Sequence, residues 1–554
     1  MKITRPQLAA AGLLVLVSFV LGAFTFAKWQ NTPINHSMVQ QAAALIGLEF
    51  TSSEIDTMLS GLENFRGNYE SNRQRPVPNS LTPALVFNPL PAGLELERGQ
   101  RDIRYSNPGK VALPANRDEL AHFSVRQLAE LIRSQQISSV ELTQFYLDRL
   151  KKYDPTLKCV ITLTEERALA TAKKADQEIA AGRYRGLLHG IPYGAKDLLS
   201  TKDYKTTWGA TPYQEQMIPE DAVVIEKLEQ AGAVLVAKLT LGALAWGDVW
   251  YGGMTRNPWD TSRGSSGSSA GSASAVSAGL VPFAIGTETL GSIVSPSTVC
   301  GTTGLRPTFG RVSRTGAMAL SWTMDKIGPI CRTVEDCAIV FAAINGPDPK
   351  DPALIAAPFN YDAELDVKQL RVAYVKSDFE GAYPFKSQDS LVLAKLAALG
   401  LELIPIELPD YPDIGFILES EAAAAFDELT RSGRDDELVR QIKFAWPNVF
   451  RQARMIPAVE YIQANRIRRQ LMEEMHNTLH NIDLYIAPSW ASSSLRITNF
   501  TGHPCVVLPN GFRDGRPTSI TFTGKLFGED KLLRFAKFFQ DNTDFHLQHP
   551  ELNN

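Results

Sequence analysis

Short β-branched segments alternate with amphipathic helical segments along most of the chain, beginning near Ser124. Just after that serine, apolar residues recur at helical spacing at Val125, Leu128, Leu131 and Ile132. Further helical segments are predicted at 38–46, 53–65, 140–153, 165–181, 222–231 and 457–481. Strand candidates lie at 159–164, 233–239, 370–375, 401–406, 484–487 and 505–508. This alternation predicts an α/β layer architecture around a large, partly parallel sheet.

A Gly/Ser-rich block at 242–310 interrupts that rhythm. Gly/Ser composition is typical of flexible linkers. This block, however, contains an apolar strand candidate at 281–285 and a short Ala/Ser helix at 272–278. Because a linker does not bury an apolar run, we interpret the block as tight loops in which glycine lets the backbone approach a neighbour closely.

The chain has 554 residues and a formal net charge of −4. That length exceeds the roughly 250–300 residues at which a single core usually stops growing, so it predicts one large elaborated domain or two domains. The charge and the lack of a long Lys/Arg run give no reason to expect a nucleic-acid partner. The five cysteines are too few for a disulfide framework, although Cys331 and Cys337 would pair in an oxidising compartment or else fill the core as thiols.

The N-terminus carries Lys2 and Arg5 before a mostly apolar, uncharged stretch at 8–27, which Lys28 ends. This pattern is typical of a signal peptide or of an uncleaved membrane anchor over residues 1–28. The stretch is long enough to span a bilayer, so its length does not separate the two. We therefore expect an exported protein that is periplasmic, secreted or anchored to the membrane through this segment.

Three short segments, at 190–197, 267–272 and 286–293, are each predicted to place a reactive side chain inside a turn framed by small residues. Lys196, in the first segment, is flanked by apolar side chains. Burial among such neighbours would lower the pKa of a lysine and favour its neutral, basic form. A neutral lysine can accept the proton that a serine nucleophile must lose.

Ser292 lies in the third segment, directly after a glycine. The glycines there leave the backbone N–H groups of residues 289–292 free of bulky cover. Several such groups pointing into one cavity would form an oxyanion hole, in which one donor is often worth about 3–4 kcal/mol. Ser268, in the second segment, is a candidate proton relay between Lys196 and Ser292.

Longer motifs surround these residues. The segments 189–197 and 264–329 include Cys300-Gly-Thr-Thr-Gly-Leu-Arg-Pro-Thr-Phe-Gly310 and Asp325-Lys-Ile-Gly-Pro329, and Asn499-Phe-Thr-Gly-His-Pro504 follows later. Through these motifs, residues 124–542 resemble the amidase-signature family, which includes fatty acid amide hydrolase, malonamidase, peptide amidase and one of the subunits of glutamyl-tRNA amidotransferase.

The resemblance implies a large mixed central sheet covered by helices on both faces. It places an amidase-signature domain at 117–554, and we interpret residues 29–116 as an N-terminal extension that packs on this domain. The implied reaction is hydrolysis of a small-molecule amide through an acyl-enzyme. We expect no cofactor and no metal.

The resemblance also assigns roles to particular residues. Lys196 matches the family's base, Ser268 the relay serine beside a cis peptide, and Ser292 the nucleophile. The oxyanion hole is matched by the backbone of Thr289, Leu290 and Gly291.

Some positions depart from the family's pattern. Leu290 stands where a glycine is common, and Glu288 stands in place of the family's aspartate. The leucine keeps its N–H but adds bulk beside the acyl pocket. Members that act on acidic or tRNA-linked substrates often carry an arginine just after the nucleophile, whereas residues 293–295 are Ile-Val-Ser. This difference favours a neutral or apolar acyl group.

Two further patterns fit other kinds of site. Residues 267–271 satisfy the nucleophile elbow of α/β-hydrolases, with Ser269 as nucleophile and His503 as its partner, but the preceding residues are typical of a polar loop and not of a strand. His476 and His480 are spaced i, i+4 on a predicted helix and could bind a metal, although no third ligand is evident and a solvated helix face is favoured.

Three alternative functions also stay open. They are an esterase or aryl-acylamidase on the same three residues, a catalytically inactive binding protein, and one component of an amidotransferase. The joint presence of Lys196, Ser268 and Ser292 disfavours the inactive protein, and export disfavours a component that acts on tRNA. Residues 348–482 are predicted to form a substrate-facing cap. Candidates for lining an apolar pocket, or equally for core packing, are Trp246, Trp250, Tyr251 and Trp322.

Overall fold

The computed structural model describes residues 32–552, so the predicted export segment at 1–28 lies outside the described residues and stays a prediction. The chain divides into two compact units between Pro78 and Asn79. The predicted boundary at 116 between the extension and the catalytic domain falls inside the larger unit. In the described part of the chain, no helix is both long and apolar enough to cross a membrane.

The smaller unit contains helix α1 (His36–Leu45) and helix α2 (Ser52–Arg73). Thr51 and Glu54 form a capping box at the start of α2, which satisfies two backbone N–H groups there. The sequence predicts both helices, at 38–46 and 53–65. Helix α2 continues to Arg73, beyond its predicted end at 65. The prediction stops early because residues 66–73 are mostly polar and carry no apolar periodicity that would mark them as helical.

The larger unit is built on one mixed sheet of 11 strands. Including two short hairpins, the strands in chain order are β1 (Val160–Leu163), β2 (Pro192–Lys196), β3 (Val234–Leu239), β4 (Val249–Trp250), β5 (Gly253–Met254), β6 (Arg256–Asn257), β7 (Asp260–Gly264), β8 (Phe283–Glu288), β9 (Thr303–Arg306), β10 (Lys326–Cys331), β11 (Val372–Val375), β12 (Leu403–Ile406), β13 (Leu484–Pro488), β14 (Cys505–Arg513) and β15 (Arg516–Gly524). The order in the large sheet is β1-β3-β2-β8-β10-β9-β14-β15-β13-β11-β12.

Parallel pairing occurs in two parts of this sheet. Strand β2 is parallel to β3 and β8, and β11 is parallel to β12 and β13. The other neighbouring strands run antiparallel. The sheet is therefore mixed, as the sequence predicts.

Helices cover both faces of the sheet. Successive residues of β8 enter two different apolar cores, with Phe283 and Ile285 in one and Ala284 in the other. The helices of the larger unit are α3 (Val125–Arg133), α4 (Ser139–Leu157), α5 (Glu165–Ala180), α6 (Val223–Gln230), α7 (Ala270–Ser277), α8 (Val294–Cys300), α9 (Val334–Ile344), α10 (Lys376–Glu380), α11 (Lys386–Ala398), α12 (Phe416–Ala425), α13 (Asp427–Arg431), α14 (Trp446–Ala453), α15 (Ala458–Thr478), α16 (Ser494–Thr501) and α17 (Glu529–Asp541). The predicted fold class is confirmed.

Helix α7 shows why the Gly/Ser-rich block is not a linker. Every residue of this helix is buried, which its Ala, Gly and Ser side chains allow. A Cβ at Gly271 would lie 2.4 Å from the carbonyl oxygen of Cys159 and 2.5 Å from the backbone nitrogen of Thr240. Glycine is required where the helix crosses these backbones, and this close approach sets the position of the loop just before the helix.

Several details differ from the sequence prediction. Lys196 ends the central strand β2 and does not lie in a turn, and the apolar strand predicted at 281–285 is shifted to Phe283–Glu288. Residues 348–482, predicted as a substrate-facing cap, also contribute strands β11 and β12 to the central sheet. Cys331 and Cys337 are buried free thiols, so they do not pair.

Candidate active site

Lys196 lies at the end of β2, between two parallel strands, with no exposed surface. Its Nζ donates to Ser268 Oγ at 2.8 Å and to Thr287 Oγ1 at 2.9 Å, with a longer contact to Ser269 Oγ at 3.2 Å. Burial lowers the pKa of Lys196 to about 7, and the negative charges of two nearby carboxylates oppose this effect only partly. The amine is therefore able to gain and lose a proton near neutral pH.

A second buried lysine on the neighbouring strand shows what sets Lys196 apart. Lys238 is paired with Ala195 in register, and its Nζ forms an ion pair with Asp197 at 2.7 Å. Asp197 also accepts hydrogen bonds from the backbone and hydroxyl of Thr207. The carboxylate next to Lys196 in sequence is thus taken by another cation, and Lys196 has no ion-pair partner among the described residues.

Ser268 follows Gly267 through a cis peptide bond. A Cβ at Gly267 would lie 1.8 Å from the carbonyl oxygen of Gly247, so only glycine fits at that position. Ser268 is nearly completely buried, and its hydroxyl oxygen accepts from Lys196. The loop before helix α7 thereby carries the predicted relay residue to the end of strand β2.

Ser269 does not fit the alternative role of nucleophile. Its hydroxyl donates to the carbonyl of Thr287 at 3.0 Å and accepts from the N–H of the same residue at 3.1 Å. His503 lies elsewhere, with its Nδ1 hydrogen-bonded to Thr501. Residues 261–266 are predicted as a polar loop, but their first part belongs to strand β7, which pairs in a two-stranded hairpin and not in the central sheet. Ser269 instead fixes the relay loop to β8.

Ser292 lies in the turn between β8 and helix α8. Gly291, just before it, has φ of +85°, a left-handed conformation that favours glycine. Ser292 is 8% exposed, and its hydroxyl makes no hydrogen bond within residues 32–552, including none to Ser268. The two loops are joined by the N–H of Ser269, which donates to the carbonyl of Ser292 at 3.2 Å.

The backbone N–H groups of residues 289–292 donate to no acceptor in the part of the chain that the structure describes. The next two do have one, because the N–H groups of Ile293 and Val294 donate to Glu288 Oε2 at 2.8 and 3.0 Å. Four consecutive unpaired donors beside Ser292 include the predicted set of Thr289, Leu290 and Gly291. This arrangement can receive a developing negative charge.

Glu288 holds this turn in place. Its other carboxylate oxygen accepts from Arg306 at 2.7 Å and from Asn499 at 2.8 Å, and both members of the Glu288–Arg306 ion pair are fully buried. Burial alone would raise the pKa of Glu288, but Arg306, Lys326 and the hydrogen bonds outweigh it and lower the pKa to about 2. The sequence indicated Glu288 only as a departure from the family's pattern. Its signal was an acid ending an apolar strand.

A cavity of about 230 Å³ adjoins these elements. Its lining includes Thr287, Thr289, Met318, Leu320, Trp322 and Lys326. Trp322 thus lines a cavity, which is the first of the two roles considered for these aromatic residues. Trp250 is buried in the protein, and Trp246 lies under the guanidinium of Arg440. A larger cavity of about 700 Å³ includes Ser266 in its lining, two residues before Ser268 of the relay loop.

The histidine pair on helix α15 and just beyond it does not form a metal site. His476 and His480 have ring centroids 6.5 Å apart. Among residues 32–552, no group of three or more His, Cys, Asp or Glu side chains could hold a metal ion. The structure therefore offers no third ligand for this pair within the described chain.

Comparison with known proteins identifies the same family that the sequence motifs resemble. The Amidase family model matches residues 141–501. One subunit of the glutamyl-tRNA(Gln) amidotransferase of Coxiella burnetii is 32% identical over 482 residues, which are 77% of this chain and 99% of that protein. Peptide amidase from Stenotrophomonas maltophilia is 29% identical, with a TM-score of 0.70 over 78% of this chain and 99% of its own. An amidase family protein from Bacillus anthracis has a TM-score of 0.71 at 26% identity, covering 78% of this chain and 93% of its own.

The fold and these matches define an amide-hydrolysing enzyme. The chain belongs to the amidase family that carries the amidase signature.

We predict that Glu288→Gln destabilises the protein by about 3–5 kcal/mol, because Arg306 would lose its buried counter-charge. The pKa of Glu288 is about 2 in the folded protein and about 4.3 in an unfolded chain, so its stabilising effect is complete above pH 4.3 and disappears as the pH falls toward 2. Urea unfolding from pH 7 to pH 2 should show wild type losing more stability than E288Q. The exposed Glu226→Gln is the control. Equal unfolding midpoints for wild type and E288Q at pH 7 would contradict this prediction.

Proposed function

We propose that this enzyme cleaves a small carboxamide through an acyl-enzyme, with Ser292 as nucleophile, Ser268 as proton relay and Lys196 as base. The observation that carries the proposal is the 2.8 Å contact between Lys196 Nζ and Ser268 Oγ. It is made by a fully buried lysine with a pKa of about 7 and no ion-pair partner in the described chain. Such a lysine can hold the proton that leaves the nucleophile.

Each proton has a defined destination in this mechanism. Ser292 Oγ attacks the carbonyl carbon, its proton passes to Ser268, and the proton of Ser268 passes to neutral Lys196. The resulting ammonium keeps Thr287 Oγ1 as an acceptor. The same proton then returns through Ser268 to the leaving amine as the C–N bond breaks. Water repeats the sequence on the ester of Ser292 and releases the acid.

The negative charge of the tetrahedral intermediate would meet the unpaired N–H groups of the 289–291 turn. Donors fixed before the reaction stabilise such a charge without reorganising, and losing one of them typically costs about 3–4 kcal/mol. Leu290 contributes its N–H as a glycine would. Its side chain packs with the apolar cluster that contains Met324 and Phe500, so its bulk has a place outside the turn.

The substrate that we propose is a neutral or apolar amide. The residues after the nucleophile are Ile293, Val294 and Ser295, and none carries a positive charge that would pair with a carboxylate. Three cations line the adjoining cavity: Arg314 is already paired with Asp351 at 3.2 Å, burial lowers the pKa of Lys326 and so favours its neutral form, and Lys350 is exposed to solvent. The similarity to peptide amidase supports an amide substrate, whereas the amidotransferase relative would support a role as one subunit of a larger enzyme.

We predict that a fluorophosphonate probe labels wild type at Ser292. Ser292→Ala should abolish labelling because the nucleophile is gone, and Lys196→Met should slow it at least ~100-fold because no base remains. Peptide mapping and gel fluorescence of the labelled protein measure both effects. The control is Ser277→Ala, which removes a buried serine hydroxyl that donates to the carbonyl of Cys300 at the far end of helix α7. Undiminished labelling of S292A would overturn the proposed nucleophile.

We predict that kcat/KM rises with pH up to about 7 and levels off above it, because only neutral Lys196 accepts the proton. Thr287→Val should move the midpoint to lower pH, since it removes an acceptor that stabilises the ammonium form. The measurement is a pH–rate profile from acidic to basic pH, centred on neutrality. A profile without a change near neutral pH would contradict Lys196 as the base.

We predict that neutral amides such as hexanamide and benzamide are cleaved at least ~10-fold faster than succinamate, whose carboxylate would be desolvated without a partner. Release of ammonia measures the rates. Ethyl hexanoate and ethyl benzoate are the matched esters. Preference for succinamate would contradict the neutral acyl group, and hydrolysis of the esters alone would favour an esterase.

A further inference from the structure

Lys326 is a buried lysine that the proposed mechanism does not use. It begins strand β10, directly opposite Glu288 in the antiparallel pair with β8. The residue is 3% exposed, and its Nζ has one hydrogen-bond acceptor within residues 32–552, the carbonyl oxygen of Thr289 at 3.4 Å. It forms no ion pair with the carboxylates of the described chain. A buried amine with so few partners calls for a functional reason.

The residue before it also contacts Thr289. Asp325 Oδ1 accepts the hydroxyl of Thr289 at 2.6 Å, and Oδ2 accepts the N–H groups of Leu320 and Ser321 at 2.8 and 3.0 Å. Two consecutive residues of the chain thus hold one threonine, Asp325 through the threonine hydroxyl and Lys326 through the threonine carbonyl. Thr289 is the first residue of the turn that carries the unpaired N–H groups.

The geometry of the peptide unit transmits this contact to the turn. The carbonyl of Thr289 and the N–H of Leu290 belong to the same planar group, and the only cis peptide in the described chain is Gly267–Ser268. In a trans peptide the C=O and the N–H point to opposite sides. Holding the Thr289 oxygen toward Lys326 therefore turns the N–H of Leu290 away from Lys326, and that N–H has no acceptor in the described structure.

We propose that Lys326 is a positioning residue for the oxyanion hole, which fixes the Thr289–Leu290 peptide so that the N–H of Leu290 is aimed at the reacting oxygen. The inference rests on the proposed role of Ser292 and adds the residue that orients one donor. Within the described chain Lys326 makes no hydrogen bond to Ser268 or Ser292, and we assign it no role as a base.

The contact does not depend on the charge of the amine. Burial lowers the pKa of Lys326, but neutral and charged amines both carry N–H donors, so the bond to the Thr289 carbonyl persists in either state.

The test compares Lys326→Met, which lacks a donor, with Lys326→Arg, which keeps one. The measured quantity is the second-order rate constant for labelling by a fluorophosphonate, whose phosphoryl oxygen develops charge in the same place as the amide oxygen. K326M should react about 10- to 100-fold more slowly than wild type, somewhat less than the loss expected when a donor is removed outright. K326R should recover most of this rate. With the fastest amide of the panel above, the loss should be in kcat with KM little changed.

The control is Lys227→Met. Lys227 is a half-buried lysine that donates to the carbonyl of Gly346 at 2.8 Å, away from the turn. K227M should label at the wild-type rate, and the final labelled fraction counts the folded, competent enzyme in every variant. If K326M does not fold, K326Q replaces it, because its shorter side chain does not reach the Thr289 carbonyl.

The outcomes separate the inference from the proposed function. If S292A loses labelling while K326M (or K326Q) labels at the wild-type rate, the role of Lys326 is overturned and Ser292 remains the nucleophile. Equal slowing in K326M and the control K227M, or equal slowing in K326M and K326R, would also overturn it. Undiminished labelling of S292A would overturn the nucleophile itself, whatever the Lys326 variants do.

Discussion

The buried carboxylate of Glu288 is the interaction on which the candidate active site depends. It ends strand β8, accepts N–H groups from the start of helix α8, and meets Arg306 of β9 and Asn499 of α16. A charge this deep is tolerated because hydrogen-bond donors and a counter-ion satisfy it. Because the Glu288 side chain accepts the N–H groups of residues 293 and 294, the backbone between residue 288 and residue 293 must turn back toward it. The N–H groups of that reversal are left for a ligand.

The chemistry proposed for Lys196 follows from a contrast between two lysines on adjacent strands. Both are fully buried, but Lys238 meets a carboxylate whereas Lys196 meets hydroxyl groups. In a low dielectric, a lysine without an anion loses much of its preference for the charged form. Central parallel strands provide this environment because both faces of the sheet are covered. The sheet thus supplies the desolvation, and the loops supply the hydroxyl groups.

Membership of the amidase family does not specify the substrate, which depends on the residues around the turn at 289–292. Apolar Ile293 and Val294 follow Ser292 at the start of helix α8. The adjoining cavity combines apolar side chains such as Trp322 with charged residues, of which Arg314 and Asp351 are paired. Lys326 faces the turn from the opposite strand and contacts a backbone carbonyl. Its proposed role concerns the stabilisation of charge, and it is compatible with a neutral acyl group.

The sequence by itself determined the α/β class, eight of the 17 α-helices in the described chain (α1–α7 and α15) and the three candidate reactive residues, because apolar periodicity and dense local motifs are readable within short windows. It missed strands β9 and β10, which are short and interrupted by glycine or proline, it overlooked the Thr/Ile/Phe alternation of β15, and it placed Lys196 in a turn. Only the tertiary structure decided that Thr287 accepts from Lys196 and that Asp325 and Lys326 hold Thr289. Those contacts join residues far apart in sequence through strand pairing, and pairing partners depend on the packing of the whole sheet, which no local pattern specifies.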